Sequence, residues 1–185
     1  KQLATTLLQD IQKDLSAIYG KWNTRSIYDR NYSETRLPLV PSTILETLSH
    51  QSFPDMLYGQ HPEFKFQLAR SIYKSISRFI TQQHGKSFIT QPLPPTHVDM
   101  RYVREGELEL QWKPQEDKND ETAHPNGYII YMAYGQLDFD NGTYVHSATR
   151  HRIKLEPNVL YRFRIAAVNR GGISFKTPTY CAMYC

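Results

Sequence analysis

The apolar period changes once along this chain, near residue 96, and that change constrains the fold more than any single motif. Before it, Leu3, Leu7, Leu8, Ile11, Leu15 and Ile18 recur at helical spacing, with Gly20 as a natural stop. Phe64, Leu68, Ile72, Ile76 and Ile80 repeat the pattern; Phe66, Ala69 and Tyr73 widen the apolar face, and Gly85 follows the end. After it the period is two. Leu108, Leu110 and Trp112 alternate with Glu107, Glu109 and Gln111, and Tyr161, Phe163, Ile165 and Ala167 alternate with Arg162, Arg164 and Ala166. The change predicts two domains, 1–85 and 95–185. Residues 86–94, stiffened by Pro92 and Pro94, are expected to be an extended linker.

The two halves imply different architectures. In the first, the apolar run between Leu37 and Leu48 contains one expected strand, Thr43 to Leu48, so residues 1–85 read as an α/β segment. Such a strand needs neighbours, and it is expected to pair with another segment or another copy, or to pack on the second half. In the second half, short strands are separated by turn signals at Asn126-Gly127, Asp140-Asn141-Gly142 and Gly171-Gly172. That pattern predicts an all-β Greek-key sandwich, with Trp112 and Tyr161 inward and Arg162 and Arg164 outward.

Composition narrows the function classes. Of 185 residues, 39% are hydrophobic and 22% charged, enough to bury a core and too apolar for a disordered chain. The 22 basic and 18 acidic residues are interspersed, with no Lys/Arg run longer than a pair, so no nucleic-acid partner is expected. No apolar stretch approaches the roughly 18 residues of a membrane span. Lys1 opens directly into the helical pattern, with neither signal peptide nor initiator Met, and a piece of a longer protein is expected. Cys181 and Cys185 would lie about 13 Å apart along a strand, beyond the reach of about 7 Å for a disulfide, and read as small hydrophobes. They leave the compartment open.

Four features of the second half fall in order: Pro94-Pro95, "LELQW" ending in Trp112, "GYIIY" from Gly127, and "LEPNVLYRFRIAAVNRGGIS" from Leu155. With these, residues 92–184 resemble a fibronectin type III domain, an immunoglobulin-like sandwich. The resemblance implies that Tyr161 is a tyrosine corner, its hydroxyl tied to upstream backbone. Function does not follow from this fold. Tyr131, Tyr134, Phe139 and Tyr144 could offer a sugar-stacking surface, although packing of strand aromatics is the commoner use.

The first half carries "VPSTILETLSHQSFPD" (40–55), with Arg25 and Arg36 upstream and the helical "FQLARSIYKSISRFI" (66–80) downstream. This resembles the C-terminal part of a zinc-dependent N-acetylmuramoyl-L-alanine amidase catalytic domain. There a strand ends in an active-site Glu, followed by a Ser-Asn-x-x-Asp turn and a long helix. Glu46 stands at the acidic position and Asp55 at the turn acid, while Leu48-Ser49 and Gln51-Ser52 depart from the pattern. The resemblance implies that Glu46 is the catalytic general base, taking a proton from a zinc-bound water and passing it to the leaving amine. It also implies that zinc belongs to the full-length enzyme, because the family's two histidines and one glutamate precede this part of the domain.

Residues 1–45 contain no histidine, and His50, His61, His84, His97, His124, His146 and His151 show no ligand spacing. No metal ligand and no cofactor is therefore assigned within this chain. His50, four residues after Glu46, is a loop residue of the kind more often hydrogen-bonded than ligating. Asp138 and Asp140 with Asn141-Gly142 lack the bidentate Glu of a calcium loop and read as a turn.

Two functions follow. The first is a C-terminal fragment of a secreted, periplasmic or cell-surface bacterial cell-wall hydrolase, inactive alone. Its partners would be peptidoglycan or another glycan and the upstream part of its own domain. The alternative is a non-catalytic surface module that binds glycan or protein.

Overall fold

Leu7, Ile11 and Leu15, one helical turn apart, form the buried stripe of α1 (Gln2–Tyr19). Gly20 ends this helix at a φ of 81°, which glycine adopts without strain. The computed structural model describes residues 1–185, which divide into two units, Lys1–Phe88 and Ile89–Cys185. In the first unit α1 is followed by α2 (Ser33–Arg36), α3 (Phe53–Gln60) and α4 (Pro62–Gln83).

The α1 stripe packs on Phe64, Leu68 and Ile72 of α4. Asp14 pairs with Lys74 at 3.0 Å and Asp10 with Arg78 at 2.7 Å, in opposite order along the chain, so α1 and α4 run antiparallel. At one end Tyr19, Trp22, Tyr58 and Phe64 form an aromatic cluster with ring centroids 5.3–6.1 Å apart. Leu48 packs on the same cluster.

Two expectations for this unit are corrected. Thr43 to Leu48 is not a strand, and no strand occurs anywhere in the unit, so residues 1–88 are helical with irregular connections rather than α/β. A strand is stabilised by its ladder, and no other segment of the chain pairs with 43–48. The expected pairing within the chain is therefore overturned. Leu37, Leu39, Val40, Ile44 and Leu45 stay exposed, Leu39 fully so. The sequence pattern also missed α3, which is short and has no buried stripe. Its start is set locally, by the Ser52 hydroxyl accepting from Asp55 N–H at 3.4 Å and by a Pro in the first turn.

The second unit contains β1 (Thr96–Arg104), β2 (Glu107–Lys113), β3 (Gly127–Tyr134), β4 (Thr143–His146), β5 (Arg150–Lys154), β6 (Leu160–Asn169), β7 (Gly172–Ile173) and β8 (Tyr180–Met183). They form two antiparallel sheets, β1-β2-β5 and β4-β3-β6-β7, with β8 also pairing β6. Leu108, Leu110 and Trp112 from one sheet meet Tyr128, Ile130, Tyr161, Phe163 and Ile165 from the other. Trp112 and Tyr161 face inward, as the alternation predicts.

Thr90 and Leu93 are buried within this unit. Thr90 Oγ1 donates to Asp120 at 2.5 Å, and its carbonyl accepts from Asn169 Nδ2 at 2.8 Å. These residues of the 86–94 segment are therefore hydrogen-bonded into the sandwich unit and are not a free linker.

Candidate functional site

Glu46 is exposed, on the irregular segment between α2 and α3. Downstream, Asp55 Oδ2 accepts from Ser49 N–H at 2.8 Å, which closes the turn that carries His50 and Gln51. Arg25, Arg36 and His50 are exposed as well. No group of three His, Cys, Asp or Glu side chains converges anywhere in the chain. The residues present thus do not fit a zinc ion.

The aromatics of the second unit have other work. Lys176 Nζ sits 3.7 Å from the Tyr131 ring centroid, and the Arg162 and Arg164 guanidiniums lie 5.5 and 4.8 Å from that of Phe139. Arg162 Nη2 also donates to the Leu137 carbonyl at 2.6 Å. Arg162 and Arg164 point outward as expected, and they lie over the Phe139 ring. Tyr134 packs on Tyr161, and Tyr144 lies across Gly127, where a Cβ would collide with its ring. Asp140 Oδ1 accepts from Gly142 N–H at 3.0 Å and Met132 N–H at 2.9 Å, so the Asp140-Asn141-Gly142 segment is a turn.

The outer face of the β1-β2-β5 sheet holds the densest charge arrangement. Strand alternation and register place Asp99, Arg101 and Arg104 of β1, Glu107, Glu109, Gln111 and Lys113 of β2, and Arg150, Arg152 and Lys154 of β5 opposite the core-facing leucines. Glu109 occupies the floor, its side chain 1% exposed. Arg101 Nε and Nη2 donate to its Oε1 at 3.0 and 2.6 Å, Arg152 Nε donates to Oε2 at 2.8 Å, and Gln111 Nε2 to Oε1 at 2.8 Å.

The Arg152 contact first, then Arg101, hold the Glu109 carboxyl at about 2, well below the usual carboxylate range. Glu107 is held low in the same way by Arg104. Beside this face an open depression of about 520 Å³ is lined by Gln111, Trp112, Ser147, Ala148, Thr149 and Arg150. Burial holds the nearby His151 imidazole below its usual range. The pattern "ELELQWK" marked Glu109 only as an outward residue. The two arginines that cover it come from strands β1 and β5, and Arg152 lies 43 residues further along the chain.

Residues 93–181 match the family model described as "Fibronectin type III domain". This stretch is a fibronectin type III domain, and the helical unit before it matches no family. No protein of curated function matches the sequence. Among solved structures, the chain is similar to one titled "Myokine structure", at 15% identity over 51% of this chain and 98% of that one, with a TM-score of 0.43. It is also similar to the chicken CNTN1 FN1-FN3 domains, at 17% identity over 54% of this chain and 34% of that one, TM-score 0.44. A third is the FN5 domain of Drosophila Lar, at 18% identity over 50% of this chain and 96% of that one, TM-score 0.39.

Proposed function

We propose that the chain is the C-terminal part of a bacterial cell-wall hydrolase. In this reading its helical unit closes an N-acetylmuramoyl-L-alanine amidase catalytic domain, and its fibronectin type III domain is the accessory module. The observation that carries this reading is the 37–48 segment. It is apolar and interrupted by prolines, and most of it lies exposed beside a helix pair that has no sheet to pack on. Apolar area left in water forgoes about 25 cal/mol per Å², so such a run calls for neighbouring strands from elsewhere in the same domain. The resemblance supplies them upstream. It also supplies the order Glu46, Asp55-closed turn and long helix, which this chain reproduces in sequence.

The full-length protein would act on peptidoglycan, outside the cytoplasm or at the cell surface, with zinc held by residues that precede Lys1. The chain alone would not hydrolyse peptidoglycan. The test compares three proteins on purified peptidoglycan, following release of stem peptide with and without chelator: this chain, a protein extended upstream, and the extended protein carrying Glu46→Gln. Glu46→Gln keeps the side-chain shape but cannot take up a proton, so it is expected to cost about 10²–10⁴-fold in rate. An extended protein inactive on muropeptides would overturn the reading, as would a Glu46→Gln protein as fast as its parent.

The alternative is a non-catalytic surface module that binds a glycan or a protein. The charge arrangement on the β1-β2-β5 face favours it.

A further inference from the structure

We propose that the outer face of the β1-β2-β5 sheet is a binding surface for a linear, carboxylate-bearing polysaccharide, lying across the strands with its acid groups against the exposed side of the arginines of β1 and β5. This does not rest on the amidase reading and fails or stands separately from it.

Six cationic side chains lie on the face, Arg101, Arg104, Lys113, Arg150, Arg152 and Lys154, against three carboxylates, Asp99, Glu107 and Glu109. Two of those carboxylates lie beneath the cations. The Glu109 side chain is 1% exposed under Arg101 and Arg152, and that of Glu107 is 19% exposed against Arg104. A partner therefore approaches a mostly cationic layer, although the chain as a whole carries only +4.

The layer is also pre-organised. Arg101 spends Nε and Nη2 on Glu109, and Arg152 spends Nε, leaving Nη1 of the first and both Nη groups of the second unused by that carboxylate. Both side chains remain more than half exposed. Arginines held by a buried carboxylate lose less rotamer entropy on binding than free surface side chains, and their planar forks suit carboxylate geometry. Their guanidiniums converge on the one Glu109 carboxylate and form a paired cationic cap over β2, while the backbones of Arg150 and Arg152 lie about 7 Å apart along β5. An extended polymer with regularly spaced acids can engage several at once.

The adjoining open depression offers polar groups to a glycan. Gln111, Ser147, Thr149 and Arg150 line it with amide, hydroxyl and guanidinium groups, which match sugar hydroxyls. The outward set on the three strands contains no aromatic ring on which a base could stack.

The test uses the whole 185-residue chain with polygalacturonate as probe, dextran as the neutral control, and single- and double-stranded DNA oligonucleotides as the competing polyanions. Affinity electrophoresis and titration calorimetry at about 50 and about 300 mM NaCl read the binding. Polygalacturonate is expected to bind at the lower salt and to weaken at least roughly tenfold at the higher, with no binding to dextran. The double variant Arg150→Glu/Lys154→Glu leaves the Glu109 contacts in place and is expected to lose at least roughly tenfold in affinity. Lys118→Glu/Arg170→Glu makes the same change in net charge away from the face and is expected to bind like the parent; circular dichroism checks that both variants fold. Three results would overturn the proposal: no binding of polygalacturonate at the lower salt, equal losses in the two double variants, or tighter binding of either DNA than of polygalacturonate.

Discussion

The Tyr161 hydroxyl accepts a hydrogen bond from the Glu156 backbone N–H at 3.2 Å, closing the corner between β5 and β6 across five residues. The ring is buried against Phe163 and Tyr134, so the contact couples a core side chain to a loop that is otherwise exposed. Tyr161→Phe keeps the ring and leaves the Glu156 amide without this partner. We expect a loss of about 1–2 kcal/mol, measured by urea denaturation of the second unit. A variant as stable as the parent would show that water replaces the bond at no cost.

Trp112 is 3% exposed and meets Tyr128 edge-to-face at 5.2 Å across the two sheets. Trp112→Ala removes the largest side chain of that core. The expected loss is about 3–5 kcal/mol. Because the substitution deletes a fluorophore, the midpoint is best followed by circular dichroism.

Glu109 gives the second unit an acid dependence of known sign. Its folded pKa is held at about 2, against an ordinary 4.5. As pH falls below about 4.5 the unfolded chain takes up this proton first, so stability present at neutral pH is lost progressively down to about pH 2. His151, held low by burial, adds to the same trend below its usual range, because the unfolded chain protonates there first. Glu109→Gln is expected to be less stable than the parent at neutral pH, with the difference shrinking as pH falls. A difference that stays constant from about pH 7 to about pH 2 would contradict the role given to the Arg101–Glu109–Arg152 cluster.

Gly171 lies against the Ile89 carbonyl so closely that an added Cβ would overlap it. Gly171→Ala must shift either the β6–β7 turn or the Ile89–Thr90 backbone. We expect a cost of about 1–3 kcal/mol, the usual range for overpacking, read from the thermal midpoint. The same variant reports whether residues 89–90 fold with the sandwich.

Leu15 is 1% exposed in the α1–α4 seam. Leu15→Ala should destabilise the first unit by about 2–5 kcal/mol. The transition of the second unit should keep its midpoint, since Leu15 packs on the cluster formed by residues of unit one.

Residue by residue, periodicity was legible where one face of an element is buried by its own unit. The stripe Leu7–Ile11–Leu15 marked α1, and the alternation at 108–112 and 161–167 marked β2 and β6 with the correct faces inward. It failed at Thr43 to Leu48, where an apolar run has strand character but no partner to form a ladder. It failed again at α3, whose start depends on the Ser52 cap rather than on any buried stripe.

The order of residues alone sets the helical and two-residue periods, the change between them, and the inward and outward sets of each long strand. These are local properties, because side-chain direction follows the backbone repeat. The pairing of distant segments sets the rest: that Arg101 and Arg152 meet over Glu109, that Arg162 and Arg164 reach the Phe139 ring, and that 43–48 has no strand beside it. Each of those depends on which strands lie side by side and in what register. The register follows from burial of a whole sheet face together and from no residue alone.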